Sequence, residues 1–376
     1  DAQAVAHPGL IIPGFVDTHV HFPQLAMAGA HGGSLLDWLT RYTFPAELAF
    51  EDSAYAARRA QQFVRMLSRA GTTSALIFGV SFEPAVEHLF NAMNDSKMAG
   101  ASGLVWMDRE GPSGLLQSAQ SCLDSSTYLL NKYCSSGQLR YALLPRFAPS
   151  CSPEMLEAAG FFLQSNPDVL MQTHLSESVD EVEWVRRLFP KAKNYVDVYD
   201  RFGLCSPQSS FAHCIHLTHD ERLTLASTGS RIAHCPSANL FLGSGLFDYT
   251  RSQDYSIATA LGSDVGAGTS LCLLDVLRDF YSVQMTQGHR IDVGAMLYLA
   301  TQAGAQLLGL GDEVGSFTVG KRADFITIRP IWDDLFAARW AQCNSMEDQF
   351  FAAAMLGGTS AIASTTIAGR TIAHPG

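Results

Sequence analysis

The chain has 376 residues, of which 47% are hydrophobic and 16% are charged, and its formal net charge is −11. A length above the ~250 to 300 residues at which single cores stop growing predicts one large domain with a smaller appendage, and the composition excludes a disordered protein. The acidic balance leaves no broad basic surface for phosphates, which excludes nucleic acid as the main partner and favours a small neutral substrate.

Cysteine usage and hydropathy predict the compartment. The eight cysteines form no C-x-x-C pair, which indicates free thiols in a reducing cytosol. The first residues show no signal-peptide pattern, and no run of ~18 apolar residues predicts a membrane span. We therefore expect a cytoplasmic protein without a membrane partner.

Short apolar runs alternate with amphipathic stretches such as residues 51–71, whose helical pattern stops at Gly71. The eight strand candidates are residues 15–21, 73–80, 101–108, 140–147, 169–177, 209–216, 230–236 and 255–264. Eight strand-then-helix units predict an α/β fold, a parallel (β/α)8 TIM-like barrel over residues 15–314, although residues 239–250 make a weak helix. The alternative is an open doubly wound sheet.

The remaining segments predict a small β-sandwich appendage. Residues 315–330 and 359–376 alternate polar and apolar side chains around Gly-Lys and Ala-Gly-Arg turns, and residues 347–358 have the pattern of one helix. We expect residues 1–14 to supply an N-terminal β segment of this appendage and residues 315–376 to supply its C-terminal part.

The first strand, in the stretch FVDTHVHFPQ, places His19 and His21 on one face, since side chains alternate along an extended chain. Barrels of this kind carry their chemistry at the carboxyl ends of the strands. The polar residues at or near those ends are His19, His21, Arg146, His174, Glu177, His213, His234 and Asp264. We expect the other histidines to be structural, with His216 and His219 in a loop or at a helix start: His7, His31, His88, His289 and His374.

Three of these imidazoles and one carboxylate form a ligand set for a divalent ion such as zinc: His19, His21, His174 and Asp264. A bound water with its pKa lowered to near ~7 would complete the shell, and Glu177, three residues after His174, would be the proton shuttle. A helix cap for Glu177 and a turn position for Asp264 are the structural alternatives. The sequence leaves open whether His213 is a ligand or a hydrogen-bond partner of the water, and whether His234 lies beside the site or is only structural.

Other catalytic patterns are absent from the sequence. Binuclear barrel hydrolases commonly bridge two metals through a carbamylated lysine at the fourth strand end, where this chain has Arg146, so we expect one metal ion. The zinc-deaminase pattern built on H-x-E and P-C-x-x-C lacks its second half. The chain also has no H-E-x-x-H, G-x-S-x-G, Walker A or G-x-G-x-x-G motif.

Seven stretches carry a family resemblance: PGFVDTHVHFPQ, LLDWLTRYTFPAE, PRFAPSCS, THLSES, FAHCIHL, HCPSANLFLGSGLF and GSDVGAGTSLCLLD. From about Pro13 to Asp324 the chain resembles the guanine deaminases of the amidohydrolase superfamily. The H-x-H pair marks only the superfamily, whereas RYTFPAE, PRFAPSCS and the glutamine of HFPQ together are specific to these deaminases.

The resemblance implies zinc-dependent hydrolytic deamination of guanine to xanthine and ammonia in purine catabolism and salvage. It implies a homodimer with one Zn²⁺ per subunit, held by the ligand set given above. It also implies that Gln24, Arg146 and Phe147 hold the purine, beside His174 and Glu177.

The resemblance implies a mechanism as well. Glu177 would take a proton from the water that attacks C2 of guanine and would protonate N3, while Asp264 and His213 stabilise the hydroxide. Gln24 and Arg146 have the donors and acceptors needed to read the purine edges, and an aromatic ring such as Phe147 suits a purine face.

Two features depart from the family pattern. Relatives usually carry an N-terminal segment before PGFVDTH, so we expect the appendage to be incomplete at its N-terminus. Phe82 stands where relatives tend to have a histidine after the second strand.

Two other functions remain open from the sequence. A related mononuclear deaminase acting on another purine, cytosine or a triazine would share the ligands, and Gln24 and Arg146 separate it from a guanine deaminase. A non-catalytic protein of the same fold is the other class, against which the intact ligands and Glu177 argue. The sequence does not distinguish zinc from iron.

Overall fold

The computed structural model describes residues 9–32, 35–134, 137–330 and 333–374, and its centre is a ring of parallel strands. Numbered in chain order, the strands are β1 Leu10–Pro13, β2 Phe15–His21, β3 Thr72–Phe78, β4 Ala99–Ser102, β5 Val105–Trp106, β6 Leu139–Pro145, β7 Leu170–Leu175, β8 Ser209–His213, β9 Arg231–His234, β10 Thr259–Leu261, β11 Phe325–Ile328, β12 Ile362–Ile367 and β13 Arg370–Ala373. All eight predicted strands are present, and the third is divided into β4 and β5.

The ring runs in the order β2-β3-β4-β6-β7-β8-β9-β10, with β5 paired to β6. Its two ends also meet: the amide of His21 donates to the carbonyl of Val265 at 2.9 Å, and the amide of Asp264 donates to the carbonyl of His19 at 2.7 Å. These bonds join the first strand to the segment that follows the last one. The barrel prediction is therefore confirmed, and the open doubly wound sheet is excluded.

Helices surround the barrel between successive strands. The helices are α1 Leu35–Trp38, α2 Phe44–Leu48, α3 Ser53–Arg69, α4 Glu83–Ser96, α5 Ala119–Tyr133, α6 Pro153–Ser165, α7 Val179–Leu188, α8 Tyr195–Asp200, α9 His219–Thr228, α10 Pro236–Phe241, α11 Tyr249–Asp254, α12 Leu273–Thr286, α13 Val293–Ala300, α14 Gln302–Leu307, α15 Asp334–Trp340 and α16 Met346–Ala352. The predicted weak helix at residues 239–250 is divided between α10 and α11, which the turn at Gly243 and Gly245 separates. In the described part of the chain, no helix is both long and apolar enough to cross a bilayer.

Helix α3 shows how the sequence sets an element's bounds. Asp52 accepts hydrogen bonds from the amides of Ala54 and Tyr55, which caps the helix start. Gly71 takes a positive φ of 88° two residues after the last helical residue, a conformation that glycine adopts without strain. The predicted glycine stop is therefore confirmed.

The appendage is a four-stranded antiparallel sheet in the order β1-β11-β12-β13. The turn between β12 and β13 falls at Ala368 and Gly369, both with positive φ, where the Ala-Gly-Arg turn was predicted. Residues 315–324 contain no strand, so only the second half of the 315–330 pattern pairs. Residues 346–361 are helical throughout, although the last nine leave α-helical geometry.

The domain boundaries at 14 and 314 stay predictions. Residues 10–13 pair with β11, as an N-terminal segment of the appendage would. Residues 1–8, including His7, lie outside the described residues, so the predictions for them are not addressed.

Candidate active site

A cleft of about 420 Å³ opens at the carboxyl ends of the barrel strands. Its lining consists of His21, Gln24, Leu35, Trp38, Leu39, Arg146, Phe147, His174, Glu177, His213, Leu242, Asp264 and Ala267. Every substrate-binding and catalytic residue predicted from the sequence is in this set, and the remaining predicted ligand, His19, lies directly beneath it against His21 and Asp264.

Imidazole nitrogens from two strands converge at the floor of the cleft. The Nε2 atoms of His19 and His21 are 3.2 Å apart, and those of His21 and His174 are 3.3 Å apart. The Oδ1 atom of Asp264 lies 3.4 Å from His19 Nε2 and 3.2 Å from His21 Nε2. The structure thus brings all four predicted ligands together.

The second ring nitrogen decides which way each imidazole faces. His19 Nδ1 lies 2.7 Å from the amide oxygen of Gln172, and His174 Nδ1 lies 2.7 Å from the carbonyl oxygen of Arg146. Because both partners are acceptors, each Nδ1 carries the proton and each Nε2 presents a lone pair to the same point. Lone pairs facing one another at this distance repel unless a cation lies between them, so the donor set fits a divalent ion.

The protonation states of these groups agree with metal binding. Burial lowers the pKa of His21 to about 4 and also lowers that of His174, so both rings are neutral near pH 7. Burial alone would favour the protonated form of Asp264, but the neighbouring His19 and His21 side chains outweigh it and hold the pKa of the carboxyl well below its usual range. Neutral imidazoles and an ionised carboxylate are the forms that bind metals.

Two residues at this rim have a left-handed backbone. Asp264 has a φ of 51° and His213 a φ of 69°, values that few residues other than glycine adopt. The turn after each strand points these side chains inward over the barrel mouth. The turn interpretation of Asp264 is therefore correct as geometry, and the same turn delivers its carboxylate to the imidazoles.

Glu177 lies just before helix α7 and is buried. Ser178, not Glu177, caps the helix, because its hydroxyl accepts from the amide of Glu181 in a capping box. The Glu177 carboxylate instead lies 3.5 Å from His213 Nε2 and accepts a hydrogen bond of 3.4 Å from the hydroxyl of Ser244. Burial, together with the nearby charges of Glu181 and Asp264, raises the pKa of Glu177 well above its usual value.

His213 stands between the carboxylates. Its Nε2 lies 3.5 Å from Glu177 and 3.7 Å from Asp264, and its Nδ1 lies 2.9 Å from the amide oxygen of Asn239. Its Nε2 has no hydrogen-bond partner among the described residues, as expected of an atom that bonds a water, and His213 also belongs with Asp264, His19 and Cys235 to a group close enough to share an ion. Both sequence interpretations of His213 therefore remain.

A second set of polar side chains also lines the cleft. Gln24 is in the 3₁₀ turn after β2, and Arg146 and Phe147 follow β6. The carboxylate of Glu47, in α2, joins two of them: Gln24 Nε2 donates to it at 3.1 Å and Arg146 Nη1 at 2.6 Å. The Phe44 ring lies 5.2 Å from the Arg146 guanidinium carbon, a cation–π distance.

The sequence leaves the roles of His234 and Phe82 open, and neither side chain lines the cleft. The His234 ring stacks on Phe247 at 4.3 Å, and neither of its nitrogens has a hydrogen-bond partner among the described residues. Burial and the nearby His213 lower the pKa of His234 to about 3, so the ring is neutral. Phe82 packs against an apolar cluster of Phe44, Met107 and Leu115.

The other histidines that the structure describes agree with their structural interpretation. His216 lies in the loop after β8, where its Nε2 meets the carbonyl of Ser244 at 2.7 Å, and His219 is the first residue of α9. None of the remaining ones lines the cleft: His31, His88, His289 and His374.

Sequence reasoning missed three residues of this site. Gln172 had a usable signal, because it is two residues before His174 on the same strand and so shares its face. Asn239 and Glu47 lie in the quoted stretches HCPSAN and RYTFPAE, but no spacing rule assigns them a partner 26 or 99 residues away. Only the tertiary structure supplies those contacts.

Comparisons with known proteins agree with this geometry. The sequence pattern of the amidohydrolase family matches residues 10–369. The guanine deaminase of Escherichia coli (strain K12) is 41% identical over 363 residues, which cover 96% of this chain and 83% of that protein. The solved structure of E. coli guanine deaminase superposes with a TM-score of 0.94 at 40% identity, covering 98% of this chain and 84% of that one.

A third comparison carries a ligand. The crystal structure of guanine deaminase from C. acetobutylicum with bound guanine in the active site superposes with a TM-score of 0.89 at 29% identity, covering 97% of this chain and 87% of that one. The barrel, the convergent ligands and these matches show that the chain belongs to the amidohydrolase family. Within that family it is similar to guanine deaminases over most of its length.

Proposed function

We propose that this chain is an aminohydrolase that deaminates guanine to xanthine and ammonia. The observation that carries the proposal is one cleft with two chemically different sides. One side presents four convergent metal-ligand atoms beside the buried Glu177 carboxylate, and the other presents the polar side chains of Gln24 and Arg146. The similarity to guanine deaminases supports guanine as the substrate.

The ligand set fits one Zn²⁺ per subunit. Three imidazole nitrogens and one carboxylate are donors that zinc prefers. Strand β6, the fourth strand of the barrel, is followed by Arg146, which cannot form a carbamate bridge to a second ion. The proposed ligands are His19, His21, His174 and Asp264. Such an ion supplies Lewis acidity that makes water a nucleophile near neutral pH.

Glu177 is the proposed proton shuttle. Burial raises the pKa of Glu177, which makes its carboxylate a stronger base towards water than an exposed carboxylate. Glu177 takes a proton from the attacking water and gives it to N3 of guanine as oxygen bonds to C2. A second proton transfer to the amino nitrogen lets ammonia leave, and C2 keeps the oxygen as the new carbonyl of xanthine.

His213 and Asp264 hold the water oxygen during this attack. His213 Nδ1 donates to the amide oxygen of Asn239, so its Nε2 is left to accept a hydrogen bond from the water. Asp264 stays ionised and accepts a hydrogen bond from the nucleophile. These two groups orient the lone pair that attacks C2.

The purine is held by the other side of the cleft. Gln24 and Arg146 hydrogen-bond to the edges of guanine, and Phe147 contacts a face of the ring. A site with paired polar groups rejects analogues that leave those groups without partners. Adenine lacks the O6 acceptor and cytosine lacks the second ring, so both should be poor substrates.

Metal analysis combined with ammonia release tests this proposal. Purified protein should contain about one zinc per chain and release ammonia from guanine, with kcat/KM at least ~100-fold above that for adenine or cytosine. Turnover of adenine or cytosine in preference to guanine would establish the related deaminase instead. Loading with iron in place of zinc, followed by the same assay, identifies the competent metal.

Two further predictions accompany this function. The resemblance to guanine deaminases implies a homodimer in the cytoplasm. Sedimentation analysis of the purified protein tests the dimer, and fractionation of the source cells tests the compartment.

A further inference from the structure

We propose that Glu47 is a positioning residue that sets the orientation of Gln24 and the charge of the cleft, and so makes the site select a neutral purine over an anionic one. The proposal rests on the proposed function, because it concerns how guanine and xanthine are told apart. It is carried by two hydrogen bonds from one buried carboxylate to two cleft residues.

Glu47 is placed to act through its neighbours and not on the substrate. Its side chain is buried, and it does not line the cleft. Its Oε1 accepts from Gln24 and its Oε2 accepts from Arg146, so both carboxylate oxygens are used. Three segments that are distant in sequence, after β2, in α2 and after β6, are joined at this carboxylate.

The first consequence is a fixed orientation of the Gln24 amide. A carboxylate only accepts hydrogen bonds, so the group of Gln24 that faces Glu47 must be the NH₂. The amide oxygen Oε1 then faces the other way, and none of the described residues donates to it. Gln24 therefore presents an acceptor to the cleft, which suits the N–H groups of guanine.

The second consequence concerns charge. The Arg146 guanidinium is buried beside the cleft, where an unpaired cation would attract anions strongly. The 2.6 Å contact with Glu47 neutralises this charge, and no described residue accepts a hydrogen bond from the other N–H groups of the Arg146 guanidinium. Arg146 can then serve a neutral acceptor, such as O6 of guanine, without giving an advantage to an anion.

This distinction matters because substrate and product differ in acidity. Xanthine has an additional ring N–H flanked by carbonyl groups, and it loses a proton more readily than guanine. A cleft with an unpaired arginine would hold the xanthine anion after turnover. With Glu47 in place, the cleft releases the product because it gains nothing from the product's charge.

Three variants test this proposal. Glu47→Gln keeps the shape but removes the charge, and its amide no longer fixes the orientation of Gln24. Glu47→Asp keeps the charge but is too short to reach both partners. Asp324→Asn is the matched control, because Asp324 is also buried and also makes a 2.6 Å ion pair with an arginine, Arg322, but in the appendage side of the molecule.

The measurements are kcat and KM for guanine and the inhibition constant of xanthine between pH 6 and 9. For Glu47→Gln we expect the KM of guanine to rise about tenfold or more while kcat changes less than about threefold. The ratio of the xanthine inhibition constant to that KM should fall about tenfold, and the fall should grow with pH as more xanthine ionises. Asp324→Asn should change neither quantity.

Glu47→Asp separates orientation from charge. It should raise the KM of guanine as Glu47→Gln does but leave the inhibition ratio of xanthine at its wild-type value. If Glu47→Gln does not fold, as judged by circular dichroism, this variant still decides the proposal. The proposal would be overturned if the KM of guanine were unchanged in the Glu47 variants. It would also be overturned if those variants and Asp324→Asn had equal effects.

The wild-type enzyme in the same assay keeps the two proposals apart. If the wild type does not release ammonia from guanine, the proposed function fails, and the proposed role of Glu47 fails with it. If the wild type is active and Glu47→Gln matches Asp324→Asn in every quantity, only the role of Glu47 is wrong.

Discussion

The two sides of the cleft are built from different kinds of secondary structure. One side, which we call the strand side, consists of residues at barrel strand ends: His19, His21, His174, His213 and Asp264. The other, which we call the helical side, is the segment from residue 22 to residue 48, with Gln24, Trp38 and Glu47. The strand side holds its groups by backbone pairing along whole strands, whereas the helical side holds them by a few side-chain contacts. The proposed metal ligands are on the first, and Gln24, a proposed substrate-binding residue, is on the second.

The largest effect should come from removing Glu177, the proposed proton shuttle beside the strand side. Glu177→Gln keeps the shape of the side chain but cannot accept a proton, so we expect kcat to fall by about 10³-fold, within the ~10²–10⁴ range of general acid–base catalysis. Zinc content should match the wild type, since Glu177 is not among the proposed ligands. A variant that keeps turnover would remove Glu177 from the mechanism, and one that loses zinc would make it a ligand.

The contact between Gln172 and His19 tests how the strand side holds metal. Gln172→Ala removes the acceptor 2.7 Å from His19 Nδ1, so the ring can rotate or change tautomer. We expect zinc affinity to fall about 10- to 100-fold, measured by competition with a chelator. Ser102→Ala is the control, because Ser102 is also a buried barrel residue whose hydroxyl bonds a neighbouring strand, at 2.9 Å. Equal affinities in the two variants would contradict the orienting role.

Arg146 belongs to both sides, since it follows a strand but pairs with Glu47 on α2. Arg146→Lys keeps a charge but not the planar fork that bonds Glu47 and a purine edge together. We expect kcat/KM for guanine to fall about tenfold, mainly through KM, with zinc binding unchanged. An effect on kcat alone would indicate that Arg146 acts on the reacting centre and not on purine binding.

The strand side could be predicted from the sequence, and the reason is physical. Alternation along FVDTHVH fixes the face of His19 and His21, and parallel strands bring their carboxyl ends to one rim. Short-range rules are therefore enough to collect the ligands. The four proposed ligands come from three strands, β2, β7 and the end of β10, and the structure brings all of them together.

The helical side could not be predicted in the same way. Residues 39–43 leave α-helical geometry, and α1 and α2 are only four and five residues long, so no periodic pattern marks them. The roles of Gln24 and Arg146 came from the family resemblance. Glu47 lies within RYTFPAE, but the sequence predicts no role for it, because its hydrogen-bond partners are 23 and 99 residues away in sequence.

The strand-end rule also selected a residue that does not line the cleft. His234 ends β9, beside His213 on β8, but its ring packs on Phe247 and Phe280. Position at a strand end is thus not sufficient for membership of the site. The direction of the side chain, which depends on the local turn, decides the rest.

Replacing His234 should affect stability alone. Its pKa is about 3 in the folded protein and about 6.5 when exposed, so the unfolded chain binds the proton first. As pH falls below about 6.5, protonation of the unfolded chain removes stability at up to about 1.4 kcal/mol per pH unit, and this loss ends near pH 3. His234→Phe, which can still pack on Phe247, should lose less stability than the wild type between pH 6.5 and 4. Urea unfolding of the metal-free protein between pH 6.5 and 4 measures the difference in stability. Parallel pH profiles of the two proteins would mean that His234 is protonated or hydrated in the folded state and is not a buried neutral ring.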